Sequence, residues 1–332
     1  MGLGIYILAT LGCLFSHSIE SLVLLRLLQA LGGCAANVAA MAMVRDLFSI
    51  KESSKVFSLL VLILGVSPLI APTVGGFVTV NFGWHSIFII LAIISILILS
   101  AVVFLLPESH APDLTVSLKP KPIFKNFVAV FKEPQFFAYT LTSAVAFSGL
   151  FVYVAGSPII FMDIFKVDAQ TYSWIFAGLS IGFIGSSQLN IFLIRIFSNE
   201  SLFFFSLLAK VMITIIFFLF AYNDWLTVSS TVAFLFFYLA CVGLINPNGA
   251  ALALAPFSKN AGSASALMGF LQMGAGALAS MIVGIFAKTE ILPVVAILAG
   301  TSALSLLVLF VGKRRITTKI EASLEDATNL GH

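Results

Sequence analysis

The chain has 332 residues, 60% of them hydrophobic and 9% charged, with a mean hydropathy of +1.13 and a formal net charge of +3. Soluble domains carry about 25% charged residues, so this chain lacks the polar surface for a water-solvated fold, and its small, dispersed charge excludes nucleic acid as a partner. Cys13, Cys34 and Cys241 are isolated in apolar runs, and neither they nor the four histidines show a metal-ligand spacing, so no metal site or cofactor is expected.

A bilayer core requires roughly 20 apolar residues per helix. Windows of that kind fall at 1–16, 20–46, 54–80, 85–106, 136–163, 172–195, 202–221, 226–254, 262–287 and 291–312, giving an all-α polytopic membrane protein of about ten helices. The first window is short and has no basic segment ahead of it, which argues against a cleaved signal peptide. Tyr6 stands where a myristoylation signal needs Ser or Thr.

The second window contains "LLRLLQALGG". Arg26, Ala30, Gly33 and Asn37 lie on one stripe of that helix, with Gln29 beside it. An arginine at membrane depth costs at least ~2.5 kcal/mol and usually faces a wet interior. The alternative is snorkelling, because Glu20 marks the end of the span about six residues away. The third window holds "GVSPLIAPTVGG", with Pro68 and Pro72 among Gly65, Gly75 and Gly76. Such a run would break a soluble helix; in a membrane it suits a hinge, a close helix contact or a static kink.

Residues 107–135 are polar at first and then give "IFKNFVAVFKEP". Ile123, Phe124, Phe127, Val130 and Phe131 share a face there, as in an amphipathic interfacial helix. The expected organisation is an N-terminal four-span bundle (1–106), this linker (107–135), a six-span bundle (136–312) and a tail (313–332). One set of loops and the tail carry thirteen Lys and Arg residues, whereas the alternate loops carry only Lys166 and Lys288. That bias puts the linker and both termini in the cytoplasm. Lys210 lies within a span about eight residues from its cytoplasmic end, and snorkelling to that end is expected.

"NVAAMAM" at 37–43 is echoed by "NGAALAL" at 248–254; each precedes a basic loop and a glycine-rich span. The halves therefore read as a parallel repeat. In that register the first half has four spans where the second has six, and two spans are expected ahead of Met1. Tyr153, Gln188, Asn190, Asn246, Asn248 and Gln272 are the polar groups of the second-half spans. They are candidates for a substrate cavity and equally for hydrogen bonds between helices.

These motifs carry a resemblance. "RLLQALGG" resembles the R-x-x-Q-G-x-x-G/A pattern of the fourth helix of major facilitator drug:proton antiporters, with Ala30 in place of a glycine. "GVSPLIAPTVGG" resembles the antiporter motif of their fifth helix in its A-P-x-x-G-G form. "MVRDLF", "NFGWHSIF" and "GSPIIF" are similar to the bicyclomycin/chloramphenicol-resistance (Bcr/CflA-type) branch. The resemblance runs from that family's third helix to its twelfth. It implies a two-bundle fold in the bacterial inner membrane, acting as a monomer that exports drug-like molecules against protons, without a cofactor. It also implies a role for Arg26 in proton coupling. The family's first-helix acidic residue has no counterpart; Glu20, Asp163 and Asp224 lie at the outer ends of spans. A metabolite or sugar exporter of the same superfamily, or an inactive remnant, is the alternative. Catalysis would need clustered His, Asp or Cys, and none is present.

Overall fold

The computed structural model describes residues 1–47, 71, 74–105, 120–257, 261–286, 290–314 and 316, with the backbone alone at 37–38, 41–42, 44–47, 120–125 and 261–262. All regular structure among the described residues is helical. The chain divides into two compact units, Met1–Val116 and Ser117–His332.

The first unit contains α1 (Gly2–Leu14), α2 (Ile19–Leu47), α3 (residues 74–82) and α4 (His85–Leu105). α1 packs against both α2 and α4. Its contact with α2 is made by small residues: a Cβ on Gly32 of α2 would lie 2.6 Å from the Tyr6 amide nitrogen and 2.7 Å from the Gly2 carbonyl oxygen. In lipid, where apolar burial drives little, such close backbone approach is what holds helices together. α3 ends in a turn at Gly83, whose φ of +79° is a left-handed conformation that glycine adopts at no steric cost. The outward faces of α2 and α4 are apolar, with Leu24, Leu27, Leu31, Ile93 and Leu97 exposed, as lipid solvation requires.

The second unit begins with α5 (Pro120–Lys132), which sets Val130 into a buried cluster with Phe136, Phe203 and Leu309. Six long helices follow: α6 (Pro134–Pro158), α7 (Ala169–Leu193), α8 (Asn199–Tyr222), α9 (Val228–Leu254), α10 (Ala261–Phe286) and α11 (Ile291–Lys313). α6 continues past Pro158 as a π-helical turn, Ile159–Ile164. It packs against α9, α10 and α11, while α9 also holds α7 and α8. The α6 interface is lined by Thr140, Thr142, Ser143 and Ser148, all buried. Such short hydroxyl side chains let helices approach and can bond back to their own carbonyls, as Thr142 does to Ala138 at 2.7 Å.

Helix starts follow from local chemistry. The Asp168 carboxylate accepts from the backbone N–H groups of Gln170 and Thr171 and from the Thr171 hydroxyl, capping α7. Those bonds, the Thr171 hydroxyl foremost, hold its carboxyl below the usual range. Thr227 and Ser230 form a reciprocal capping box at the start of α9. Where α8 begins and α11 ends, Lys313 pairs with Glu200 at 2.6 Å.

Eight of the described helices are long and apolar enough to cross a membrane. α1, with 13 residues, is about 20 Å long, and the 54–80 window falls mostly outside the described residues. Lys210 departs from expectation. It does not snorkel: its side chain is 0% exposed, and Nζ donates to the Ala146 carbonyl of α6 at 2.7 Å. Residue 210 lies on the face of α8 that turns toward α6 and α9, so the shortest path for its stem leads into the bundle.

Candidate functional site

The site in the first unit grows out of the α1–α2 contact. Close approach at Gly32 brings Thr10 of α1 opposite Gln29 of α2. The Gln29 Nε2 donates to Thr10 Oγ1 at 2.7 Å, and the Thr10 hydroxyl donates to the Tyr6 carbonyl at 2.6 Å. Thr10 is 0% and Gln29 2% exposed. One turn earlier on α2, Arg26 Nη1 donates to Gln29 Oε1 at 2.6 Å. The guanidinium also lies 5.9 Å from the centre of the Phe88 ring of α4, within cation–π range.

The result is a directed chain: guanidinium to amide oxygen, amide nitrogen to hydroxyl, hydroxyl to backbone carbonyl. The buried amide is held at both ends, so the guanidinium has a fixed seat, and among the described residues only Nη1 of its five-donor fork is engaged. Beside it is a cavity of about 430 Å³ lined by Tyr6, Arg26, Gln29, Ala30, Gly33 and Cys34. The lining is mostly apolar with a few polar groups, and the cavity is widely open. Asn37 belongs to α2, but its side chain lies outside the described residues.

Of the antiporter-motif residues, Gly75 and Gly76 lie in α3, where a Cβ on Gly75 would meet open space. Gly65, Pro68 and Pro72 lie outside the described residues.

The second-half candidates gather on α9. Pro247 lacks the N–H that would reach the Gly243 carbonyl, and the two asparagines flanking it turn to different neighbours. Asn248 Nδ2 donates to Asn190 Oδ1 of α7 at 2.6 Å and to the Leu244 carbonyl at 2.8 Å. Asn246 Oδ1 accepts from Gln272 Nε2 of α10 at 3.0 Å. Tyr153 of α6 is buried and stacks on Phe176 of α7, ring centres 5.4 Å apart. Gln188 is exposed on α7. Four of the six candidates thus bond in pairs across helices. Asn248→Leu is expected to destabilise the protein by about 0.6–1.7 kcal/mol, the range for interhelical hydrogen bonds. Thermal unfolding of a double-mutant cycle with Asn190→Leu checks this, and the double variant should lose less than the two single losses combined.

Thr10 and Tyr6 carry no motif and were missed in the sequence. A weak signal existed: they are the only hydroxyl side chains in α1 and sit one turn apart.

Eight described helices long and apolar enough to cross a membrane define a multi-pass membrane protein. The chain belongs to the Major Facilitator Superfamily, whose family model matches residues 1–280. It is 30% identical over 308 residues to the uncharacterized MFS-type transporter YdgK of Bacillus subtilis, covering 92% of this chain and 76% of that one. It is 28% identical over 275 residues to a bicyclomycin resistance protein homolog of Haemophilus influenzae, covering 80% of this chain and 67% of that one. In structure it is similar to a D-xylose-proton symporter, with a TM-score of 0.69 at 15% identity, covering 97% of this chain and 81% of that one. Proteins of this superfamily are transporters rather than enzymes and need no cofactor.

Proposed function

We propose that the chain exports drug-like, lipophilic small molecules across the bacterial inner membrane in exchange for protons, by alternating access. The observation that carries this reading is the Arg26–Gln29–Thr10 chain beside an apolar-lined cavity. A fixed guanidinium stabilises negative charge near it and weakens its hold when that charge is protonated. Protonation of an acidic group brought against it, such as one on the guest, therefore changes what the cavity holds. The apolar lining suits a lipophilic guest. The relative's bicyclomycin-resistance name supports drugs as the substrate class over sugars.

In this reading Arg26, Gln29, Gly33 and Asn37 serve proton coupling. Gly65, Pro68, Pro72, Gly75 and Gly76 are the residues of its antiporter motif. Tyr153, Gln188, Asn190, Asn246, Asn248 and Gln272 are the proposed substrate-cavity residues of the second bundle. The bias of basic loops supports a cytoplasmic position for both termini, and in this reading the protein works as a monomer.

The test is ethidium accumulation in efflux-deficient bacteria expressing the chain. Lower accumulation than in vector controls, abolished by a protonophore, is the expected result. Equal accumulation in both strains, with the chain present in the membrane, would leave the metabolite-exporter or inactive readings.

A further inference from the structure

The six long helices of the second unit contain very few charges. α6, α7, α9 and α10 carry no Asp, Glu, Lys, Arg or His along their whole lengths. α8 has Glu200 and Lys210, and α11 has Lys313. Glu200 and Lys313 pair with each other at one end of the bundle. Lys210 is left in the interior without an acidic partner on any of these helices.

Its surroundings are well defined. Nζ donates to the Ala146 carbonyl of α6 at 2.7 Å and lies 5.1 Å from the centre of the Tyr238 ring of α9. Lys210, Tyr238 and Ala146 are all 0% exposed. The titratable groups facing it are Tyr238 and the buried thiol of Cys241, both from α9. On α6, Tyr139 and Tyr153 are each seven residues from Ala146, about 10 Å along the helix. On α11, Ser302 and Ser305 are buried but not acidic. Glu200 is ten residues back on α8, about 15 Å away.

An ammonium has three donors; here one carbonyl and one aromatic face receive them. Burying a charge without a counter-charge is costly, and an amine can escape that cost by giving up its proton. A neutral amine has two N–H groups and no charge, so the Ala146 carbonyl and the Tyr238 ring face can receive its donors. The charged form needs water, which can arrive only if α8 parts from α9 and α11, the helices it packs on. Proton exchange at this nitrogen and opening of this three-helix junction are therefore linked.

We propose that Lys210 is a proton-exchanging site of the second bundle, taking up a proton from hydronium when the α8–α9–α11 junction opens and returning it to water before the junction closes. Each uptake converts amine and hydronium to ammonium and water, so no other reactant is needed. Its use in transport rests on the proton-driven reading above; the exchange itself does not.

The first test therefore omits transport. The full chain in lipid nanodiscs, wild type and K210M, is taken from pH 9 to pH 5 in weak buffer with a pH-indicator dye. An ordinary exposed lysine stays protonated through this range. Wild type should take up about one proton more per chain than K210M; equal uptake would overturn the proposal. If K210M does not fold, the wild type labelled with ¹⁵N-lysine decides: one side-chain nitrogen resonance should move from amine to ammonium in that range. All resonances fixed at the ammonium position would overturn it.

The second test is the pH profile of ethidium export in vesicles, which should flatten in K210M. A full rate with an unchanged profile would confine Lys210 to packing. If wild type exports nothing, the proton-driven reading fails while the titration result stands; equal uptake with intact export defeats only the present proposal.

Discussion

Arg26→Ala should lower proton-driven ethidium export by at least about tenfold, equivalent to ~1.4 kcal/mol, while leaving the fold intact. The reason for the separation is geometric. Gln29 remains bonded to Thr10 and Thr10 to Tyr6 when the guanidinium is removed, so the α1–α2 contact keeps its polar tie. Arg26 itself is exposed on the cavity side, and among the described residues its guanidinium is held by Gln29 and lies over the Phe88 ring. Stability should change by less than ~1 kcal/mol, as for surface-like substitutions. Arg26→Lys should recover part of the rate, because an ammonium keeps the charge but not the fork that lets one group hold Gln29 and face the cavity together. Initial rates in everted vesicles at matched protein levels measure this. An Arg26→Ala rate equal to wild type would remove the arginine from the mechanism.

Two adjacent glycines should respond in opposite ways. A Cβ on Gly32 would meet backbone: the Tyr6 amide nitrogen at 2.6 Å, the Gly2 oxygen at 2.7 Å and the Tyr6 Cα at 3.0 Å. Backbone cannot rotate aside, so α1 must move outward, and the 2.7 Å bond from Gln29 to Thr10 is lost with that shift. Alanine gains about 1 kcal/mol of helix propensity over glycine. Overpacking costs about 1–3 kcal/mol and the lost hydrogen bond another ~0.5–1.5 kcal/mol. Gly32→Ala should therefore be net destabilising and should also impair export. A Cβ on Gly33 would meet only the Tyr6 ring, at 3.5 and 3.7 Å, an ordinary contact. Gly33→Ala should be neutral or stabilising by up to ~1 kcal/mol. Thermal unfolding followed by circular dichroism distinguishes the pair. The contrast is informative because Gly33 is the glycine of the motif, whereas Gly32 is the one that sets the helix spacing.

Much of this architecture was legible from hydropathy, because a lipid-solvated helix declares itself by length and apolarity alone. The stripe of Arg26, Ala30 and Gly33 was readable from helical periodicity, and these three residues line one cavity. What periodicity could not reveal was the partner across the hairpin. Thr10 meets Gln29 because of the inter-helix spacing set at Gly32, and a spacing is not written in either helix separately. Cys34 read as one more small apolar residue, yet it too borders the cavity. Lys210 was misread for a related reason. Distance to the helix end argued for snorkelling, but the direction of a side chain depends on which neighbours α8 acquires. The amides of the second half left two readings open. The structure pairs Asn190 with Asn248 and Asn246 with Gln272, which follows from how α9 meets α7 and α10 in space rather than from any spacing along one helix.

The central claim, that proton entry and drug exit are coupled in this chain, is tested most directly by reconstitution. The purified protein is placed in liposomes containing a pH-sensitive dye, and ethidium is supplied on one side under an imposed pH gradient. The account predicts ethidium moving up its own gradient while protons move the opposite way, both flows vanishing together in Arg26→Ala. Ethidium flux that ignores the pH gradient, or proton flux that ignores ethidium, would contradict it.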